Sequence, residues 1–385
     1  MKTKIFKRIF LIIFFICFLV LPCSGDENTN SIDIKSILDP IKTKYNIPGM
    51  GACVIYKSEI LALDTVGVRK YGNPEAVTRD DQFHLGSCTK AITATLIAKL
   101  VEEGKLRWKD TLGELFPELK SSMHPKYRKV TFVQLLTHRG GFPERSWPKD
   151  MTIGDLYTLT GTMTEQRLFF TKKMCSETPE KTPGTQYIYS NTGYVIAGTA
   201  AEKVTGKSWE ELVKEYIFTP LGMKTAGFGS MGTPGKIEEP WQHELVGEII
   251  RPIEPGPYSD NPLVLGPAGT IHCSLRDWAQ FIILHMKGEA GKSRFLKYKT
   301  FKKLHTPIGA SDYAMGWIVT VREWGGGDVL THAGSNTRNW SVVWMAPKKD
   351  FAVLVTANFG GDVIYKAIDK AAGLLIGKII SLMDL

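Results

Sequence analysis

The chain has 385 residues, 43% hydrophobic and 23% charged, with a formal net charge of +9. This composition excludes an intrinsically disordered chain, a collagen-like repeat and a small disulfide-stapled scaffold. The length suits one large domain or two smaller ones around a sizeable core, and the lysines are spread rather than clustered, which argues against a nucleic acid partner.

Lys2, Lys4, Lys7 and Arg8 precede an unbroken apolar run of thirteen residues, Ile9 to Leu21, and Cys23-Ser24-Gly25 and the polar Asp26-Glu27-Asn28 follow. The run suits a signal-peptide core and falls short of the about 20 residues that a bilayer-spanning helix needs. The expectation is a signal peptide over residues 1–25, a mature chain of 26–385 without a transmembrane domain, and export. An uncleaved anchor or lipidation at Cys23 is the alternative. Removing the leader takes the net charge from +9 to +5 and leaves four cysteines, Cys53, Cys88, Cys175 and Cys273, whose spacings match no zinc or CxxC pattern. Isolated buried thiols are expected.

Ile34, Ile37, Leu38 and Ile41 recur at helical spacing before Pro48-Gly49 stops the element. Met50–Tyr56 and Ile60–Val68, parted by Lys57-Ser58-Glu59, read as a hairpin. The middle of the chain is helical, with stops predicted at Gly104, Gly206 and Gly288 and capping boxes at Ser208/Glu211 and Ser274/Asp277. Strands return at Met315–Val321, Val329–His332, Ser341–Met345 and Ala352–Thr356, and Ile364, Ile368, Ala371, Leu375 and Ile379 share one face of a closing helix. The expected fold is α/β of the α+β type: one antiparallel sheet built from both chain ends, flanked by the terminal helices, with a mainly helical region inserted. The sheet lobe covers about 31–85 and 310–385, and the helical lobe about 86–309.

Ser87-Cys88-Thr89-Lys90 opens the most regular helix, which continues through Ile92, Leu96, Ile97 and Leu100. Residues three apart share a helix face, so the Lys90 amine can reach the Ser87 hydroxyl. A serine needs a partner to take its proton, and a buried lysine can be that partner because burial disfavours its charged form. The spacing alone is weak, since Ser146-Trp147-Pro148-Lys149 also fits, but Pro148 and Gly140-Gly141-Phe142-Pro143 place that second match in a loop. Two further elements support Ser87. In Tyr187–Tyr194, read as extended, Tyr189 and Asn191 face the same way, offering a phenol and an amide. In His332-Ala333-Gly334, the glycine lets a substrate approach the strand backbone, and the Ser335 N–H can join that of Ser87 in an oxyanion hole. Tyr71-Gly72-Asn73 and His138-Arg139-Gly140 repeat two of the spacings, so the ordered set carries the weight. No HExxH or short-spaced carboxylate cluster points to a metal, and no GxSxG points to an α/β-hydrolase.

In this order, SxxK, YxN and [KH]xG resemble the serine β-lactamase and penicillin-binding protein superfamily. Within it the chain is similar to the branch of class C β-lactamases, D-alanyl-D-alanine carboxypeptidases, D-aminopeptidases and related esterases. Leu135-Leu136-Thr137-His138 with Gly141, Pro183-Gly184, Leu221-Gly222-Met223 and Pro267-Ala268-Gly269 match further landmarks. The resemblance implies a β-lactamase/transpeptidase-like fold and an acyl-serine mechanism with no cofactor and no metal. Ser87 would be the nucleophile, Lys90 and Tyr189 would share the proton transfers, and Asn191, His332, Gly334 and Ser335 would bind substrate. The implied partner is a small-molecule or peptide acyl substrate, with peptidoglycan-derived peptides among the candidates. His332 departs from the lysine of class C β-lactamases, a cation that helps bind an antibiotic's carboxylate, and Arg338 or Arg139 is the nearby substitute. Arg139-Gly140 also departs from the Thr-Ser common there. The alternative reading is a penicillin- or peptidoglycan-binding module of the same fold without useful turnover.

Overall fold

The computed structural model describes residues 32–383. The expected leader, residues 1–25 with Cys23, lies outside the described residues.

After the helix Ile34–Lys44 come strands β1 (Gly49–Tyr56) and β2 (Glu59–Gly67). Their tight turn puts Lys57 and Ser58 at φ +50° and +61°, the twist a two-residue hairpin requires. The Lys57 N–H donates to the Asp350 carbonyl at 2.8 Å, fastening this turn to one near the other end of the chain. Strands β3 (Gln82–His84), β4 (Gly227–Phe228), β5 (Gln242–Val246), β6 (Ile249–Ile253) and β7 (Ile271–Ser274) belong to the long insertion. Strands β8 (Ile318–Arg322), β9 (Gly327–Ser335), β10 (Trp340–Ala346) and β11 (Phe351–Ala357) precede the closing helix Asp362–Met383. The main sheet has the order β2-β1-β11-β10-β9-β8, and all its neighbours are antiparallel. The two chain ends therefore meet at β1 and β11, in the register Met50 opposite Ala357 and Tyr56 opposite Phe351. A small sheet, β3-β7-β4, and the hairpin β5-β6 stand apart.

Strand β11 is buried throughout because both faces of the sheet are covered. On one face Val353 and Val355 pack with Leu38 and Ile41 of the first helix and Ile364, Ile368, Ala371, Leu375 and Ile379 of the last. On the other, Cys53, Ile55 and Leu354 join Ile92, Leu96 and Ile97 of the helix Thr89–Glu102 and Ile282 of the helix Leu275–Glu289. The architecture is the mixed sheet-and-helix arrangement read from the sequence. Cys53, Cys88, Cys175 and Cys273 are buried and free, and burial pushes the Cys53 thiol up to about 12.

Three local expectations need correction. Met315–Trp317 do not open a strand: the chain bends there, with Gly316 at φ +84°, because a Cβ at 316 would sit 2.5 Å from both the nitrogen and the Cα of Ala91. Asn191 is not in an extended stretch but is the first residue of the helix Asn191–Thr205, with Ser190 as its extended N-cap. Gly288 does not stop a helix. The helix runs on to Glu289, and Gly288 leaves room for Phe301, whose ring would lie 2.4 Å from an added Cβ. Gly288→Ala is therefore expected to destabilise the fold by about 1–3 kcal/mol through overpacking. Chemical denaturation checks this, and an unchanged midpoint would contradict it.

Candidate active site

The site is assembled where one helix start, one turn into a helix and one strand end converge. Gly86–Cys88 form a single 3-10 turn that leads into the helix Thr89–Glu102. Ser87 sits in this turn, half-buried, and Lys90 lies in the first helical turn with no exposed surface. The Lys90 Nζ is 2.9 Å from Ser87 Oγ, 2.7 Å from Asn191 Oδ1 and 2.9 Å from the Ala268 carbonyl oxygen. The Tyr189 hydroxyl is 2.8 Å from Ser87 Oγ. Asn191, opening its helix, thus shares the Lys90 amine with Ser87.

Electrostatics fixes the proton positions. Burial pushes the Lys90 amine down to about 7, because the ammonium form loses its hydration, while burial raises the Tyr189 phenol well above its usual range. A neutral amine carries two hydrogens and one lone pair. The Asn191 and Ala268 oxygens can only accept, so they take both hydrogens. As an ammonium Lys90 donates its third hydrogen to Ser87 Oγ; as the neutral amine it turns its lone pair to Ser87, whose hydroxyl then donates to it while Oγ accepts from Tyr189.

Strand β9 closes the third side. A Cβ on Gly334 would come 2.0 Å from the Leu85 carbonyl oxygen and 2.6 Å from the Ser87 nitrogen, and one on Gly86 would come 2.2 Å from the Ser335 nitrogen. Only glycines at 86 and 334 let the serine turn and the strand end pack backbone against backbone, with the Ser87 and Ser335 nitrogens at that contact. His332 is buried on the same strand. Its Nδ1–H donates to the Ala333 carbonyl at 2.6 Å, leaving Nε2, 3.0 Å away, to accept the Tyr313 hydroxyl. Burial, reinforced by the nearby Lys90, pushes this imidazole down to about 3, so it is neutral at physiological pH.

The structure thus brings together Ser87, Lys90, Tyr189, Asn191, Gly334 and Ser335, with His332 packed behind Tyr313. Of the two arginines, only Arg338 is paired with a carboxylate. Arg338 donates to Glu244 and to the Tyr258 carbonyl. Arg139 donates to the Ile308 and Thr185 carbonyls and so ties two loops together while keeping its charge.

Several neighbours escaped the sequence reading. Ser146, set aside as part of a loop, accepts a hydrogen bond from Asn191 Nδ2 at 2.8 Å and so orients the amide with its oxygen toward Lys90. His138 stands at φ +55° with its ring 4.4 Å from that of Tyr189 and 4.5 Å from that of Tyr313. Its Nδ1 accepts the Ser190 N–H at 3.1 Å, pinning the backbone between Tyr189 and Asn191. Loop geometry brings these residues in, and only the neighbouring glycines and prolines hinted at it. Tyr71, in the repeated YxN, is half exposed, and its N–H donates to His243.

Residues 34–377 match the family model described as Beta-lactamase. Penicillin-binding protein 4 of Amycolatopsis lactamdurans is 26% identical over 338 residues, covering 84% of this chain and 84% of that protein. The unguisins hydrolase ungD' of Aspergillus campestris is 26% identical over 357 residues, covering 88% of this chain and 65% of that protein. Among solved structures, the octameric penicillin-binding protein homologue from Pyrococcus abyssi superposes with a TM-score of 0.73 at 25% identity, covering 89% of this chain and 77% of that one. With nearly the whole described chain inside the family model, and a structural relative of the same kind, the chain belongs to the beta-lactamase family.

Proposed function

We propose that the protein is an exported serine hydrolase that acts through an acyl-serine intermediate on an amide, ester or lactam carbonyl. The observation that carries this reading is the Ser87 hydroxyl held between the Lys90 amine and the Tyr189 phenol. With both Lys90 hydrogens engaged, its lone pair can only take the Ser87 proton. Ser87 Oγ then bonds to the substrate carbonyl carbon, and the carbonyl π electrons move onto oxygen. The N–H groups of Ser87 and Ser335 receive that oxyanion. Tyr189, protonated throughout the neutral range, relays a proton from the Lys90 ammonium to the leaving nitrogen or oxygen as the carbonyl re-forms. Water, deprotonated by the same pair, adds to the acyl carbon and releases the acid. Asn191 holds Lys90 and meets the substrate amide, Gly334 admits the substrate to the strand, and His332 lines that strand as a neutral group. The route requires no metal or organic cofactor.

The substrate strand itself offers no cation: His332 is neutral and Arg338 is paired with Glu244, while Arg139 keeps its charge but is tethered to the Ile308 and Thr185 carbonyls. This weighs toward D-peptide, amide or ester substrates, peptidoglycan-derived peptides among them, over efficient antibiotic hydrolysis. Export rests on the leader-like residues 1–25.

Ser87→Ala is expected to keep the fold and to lose turnover by a factor on the order of 10³ or more. Intact mass after an activated ester or a β-lactam should place one adduct on Ser87, whereas the absence of both burst and adduct would favour a binding module. The acylation kcat/KM should rise with pH through a midpoint near 7, because below it Lys90 is an ammonium that cannot accept the serine proton. Lys90→Met should remove most of the rate at every pH. A profile flat between about pH 5.5 and about pH 8.5 would argue against Lys90 as the base.

A further inference from the structure

Behind the site lies a second buried polar cluster that the proposed chemistry does not use. His84, the last residue of β3, has no exposed surface, and Asp260 has 4% exposure. The Gly86 N–H donates to His84 Nδ1 at 3.0 Å, so the proton of this imidazole is on Nε2. That proton points at the Asp260 carboxylate, whose Oδ1 and Oδ2 are 2.9 Å and 3.0 Å from Nε2. On its other side Asp260 Oδ1 accepts from Asn336 Nδ2 at 2.7 Å, and Asn336 gives its second amide hydrogen to Gln242 Oε1 at 2.8 Å. Asn336 Oδ1 in turn accepts from Asn339 Nδ2 and the Arg338 N–H. Every hydrogen-bonding capacity of the Asn336 amide is filled.

The two arms of this cluster end on the backbones next to Ser87 and Ser335. One reaches Gly86, held at φ +50° immediately before Ser87. The other reaches Asn336, immediately after Ser335. Beyond it, Thr337 adopts φ +75°, a left-handed conformation that costs a β-branched residue about 1–3 kcal/mol and persists only where the surroundings enforce it. The Thr337 N–H on Ser335 Oγ and Ser335 Oγ on the Asn339 carbonyl complete that enforcement. The same loop reaches a third part of the site: Asn261 Nδ2 donates to the Gly269 carbonyl at 2.9 Å, next to Ala268, whose carbonyl accepts from Lys90. The Tyr157 hydroxyl anchors the loop itself through the Asp260 carbonyl.

We propose that Asp260 is the positioning residue of the oxyanion hole: through His84 and Asn336 it holds the Ser87 and Ser335 N–H donors in one fixed geometry. A buried carboxylate suits this task because it only accepts, so both arms must present donors to it and neither can flip without losing a bond. This inference rests on the acyl-serine reading of Ser87.

The test compares the wild type with Asp260→Asn, Asn336→Ser and the swap Asp260→Asn/Asn336→Asp, in chains whose folding is checked by thermal denaturation. Two quantities are read: the acylation rate constant with an activated ester, and the affinity for a boronic acid, which becomes a tetrahedral anion on the serine. Asp260→Asn puts an amide donor against one of two donors. It should lower both quantities together by about 10- to 100-fold, the size of losing one oxyanion donor or somewhat less, with KM changed by less than about threefold. The swap restores one donor and one acceptor at the 260–336 contact but takes away the hydrogen that Gln242 Oε1 accepts, so it should recover only part of the loss. Asn336→Ser frees only the strand side and should lower both quantities while keeping the fold, which covers the case in which Asp260→Asn does not fold. A folded Asp260→Asn or Asn336→Ser chain that acylates and binds boronate like the wild type would overturn the positioning role. If the wild type itself forms no adduct, the acyl-serine reading fails first and takes this one with it.

Discussion

The site depends on one buried amine. Lys90 has no exposed surface and no carboxylate in its hydrogen-bonding shell: its partners are Ser87 Oγ, Asn191 Oδ1 and the Ala268 carbonyl. Burial without a counter-charge lowers its affinity for a proton, and the two fixed oxygens choose which way the lone pair points. The arrangement carries a cost in stability. Unfolded, the amine titrates near its ordinary value of 10.5, and folded, near 7, so between those values the unfolded chain binds a proton that the folded chain does not. Stability therefore rises with pH across that window, and the penalty is fully present below about 7. An amine ready to accept a proton at neutral pH is one that the fold holds against its preference for charge.

The surrounding structure keeps that amine and its serine in register. The sheet joins the two chain ends at β1 and β11 and so brings β9 against the serine turn. Gly86 and Gly334 allow the two backbones to meet where any Cβ would collide. Gly316, at φ +84°, lets the approach to β8 press on the backbone of Ala91, next to Lys90. His138 and Ser146 fix the turn that carries Tyr189 and Asn191 from the remaining side. Small residues thus set the distances, and the polar ones set the proton positions.

Much of this was legible in the sequence because its signals are local. Runs of aliphatic and β-branched residues with turn chemistry between them pointed to the sheet, helical periodicity to both terminal helices, and three residues of spacing put Lys90 beside Ser87. Tyr189 and Asn191 were identified on a different geometry, since an alternating strand and a strand-to-helix turn both turn two such residues the same way. Gly288 misled because a glycine near a helix end looks like a stop, whereas here it makes room for Phe301 across the core. Ser146, Asp260, Ala268 and Tyr313 were not assigned their roles, because each meets the site through a contact distant in sequence.

The most direct test of the central claim is an NMR titration of the lysine side chains in isotopically labelled protein, with the Lys90 signal assigned by its loss in Lys90→Met. The account predicts that the Lys90 amine gives up its proton near pH 7. A Lys90 signal that stays in its ammonium form to about pH 9 or beyond, as ordinary lysines do, would contradict it.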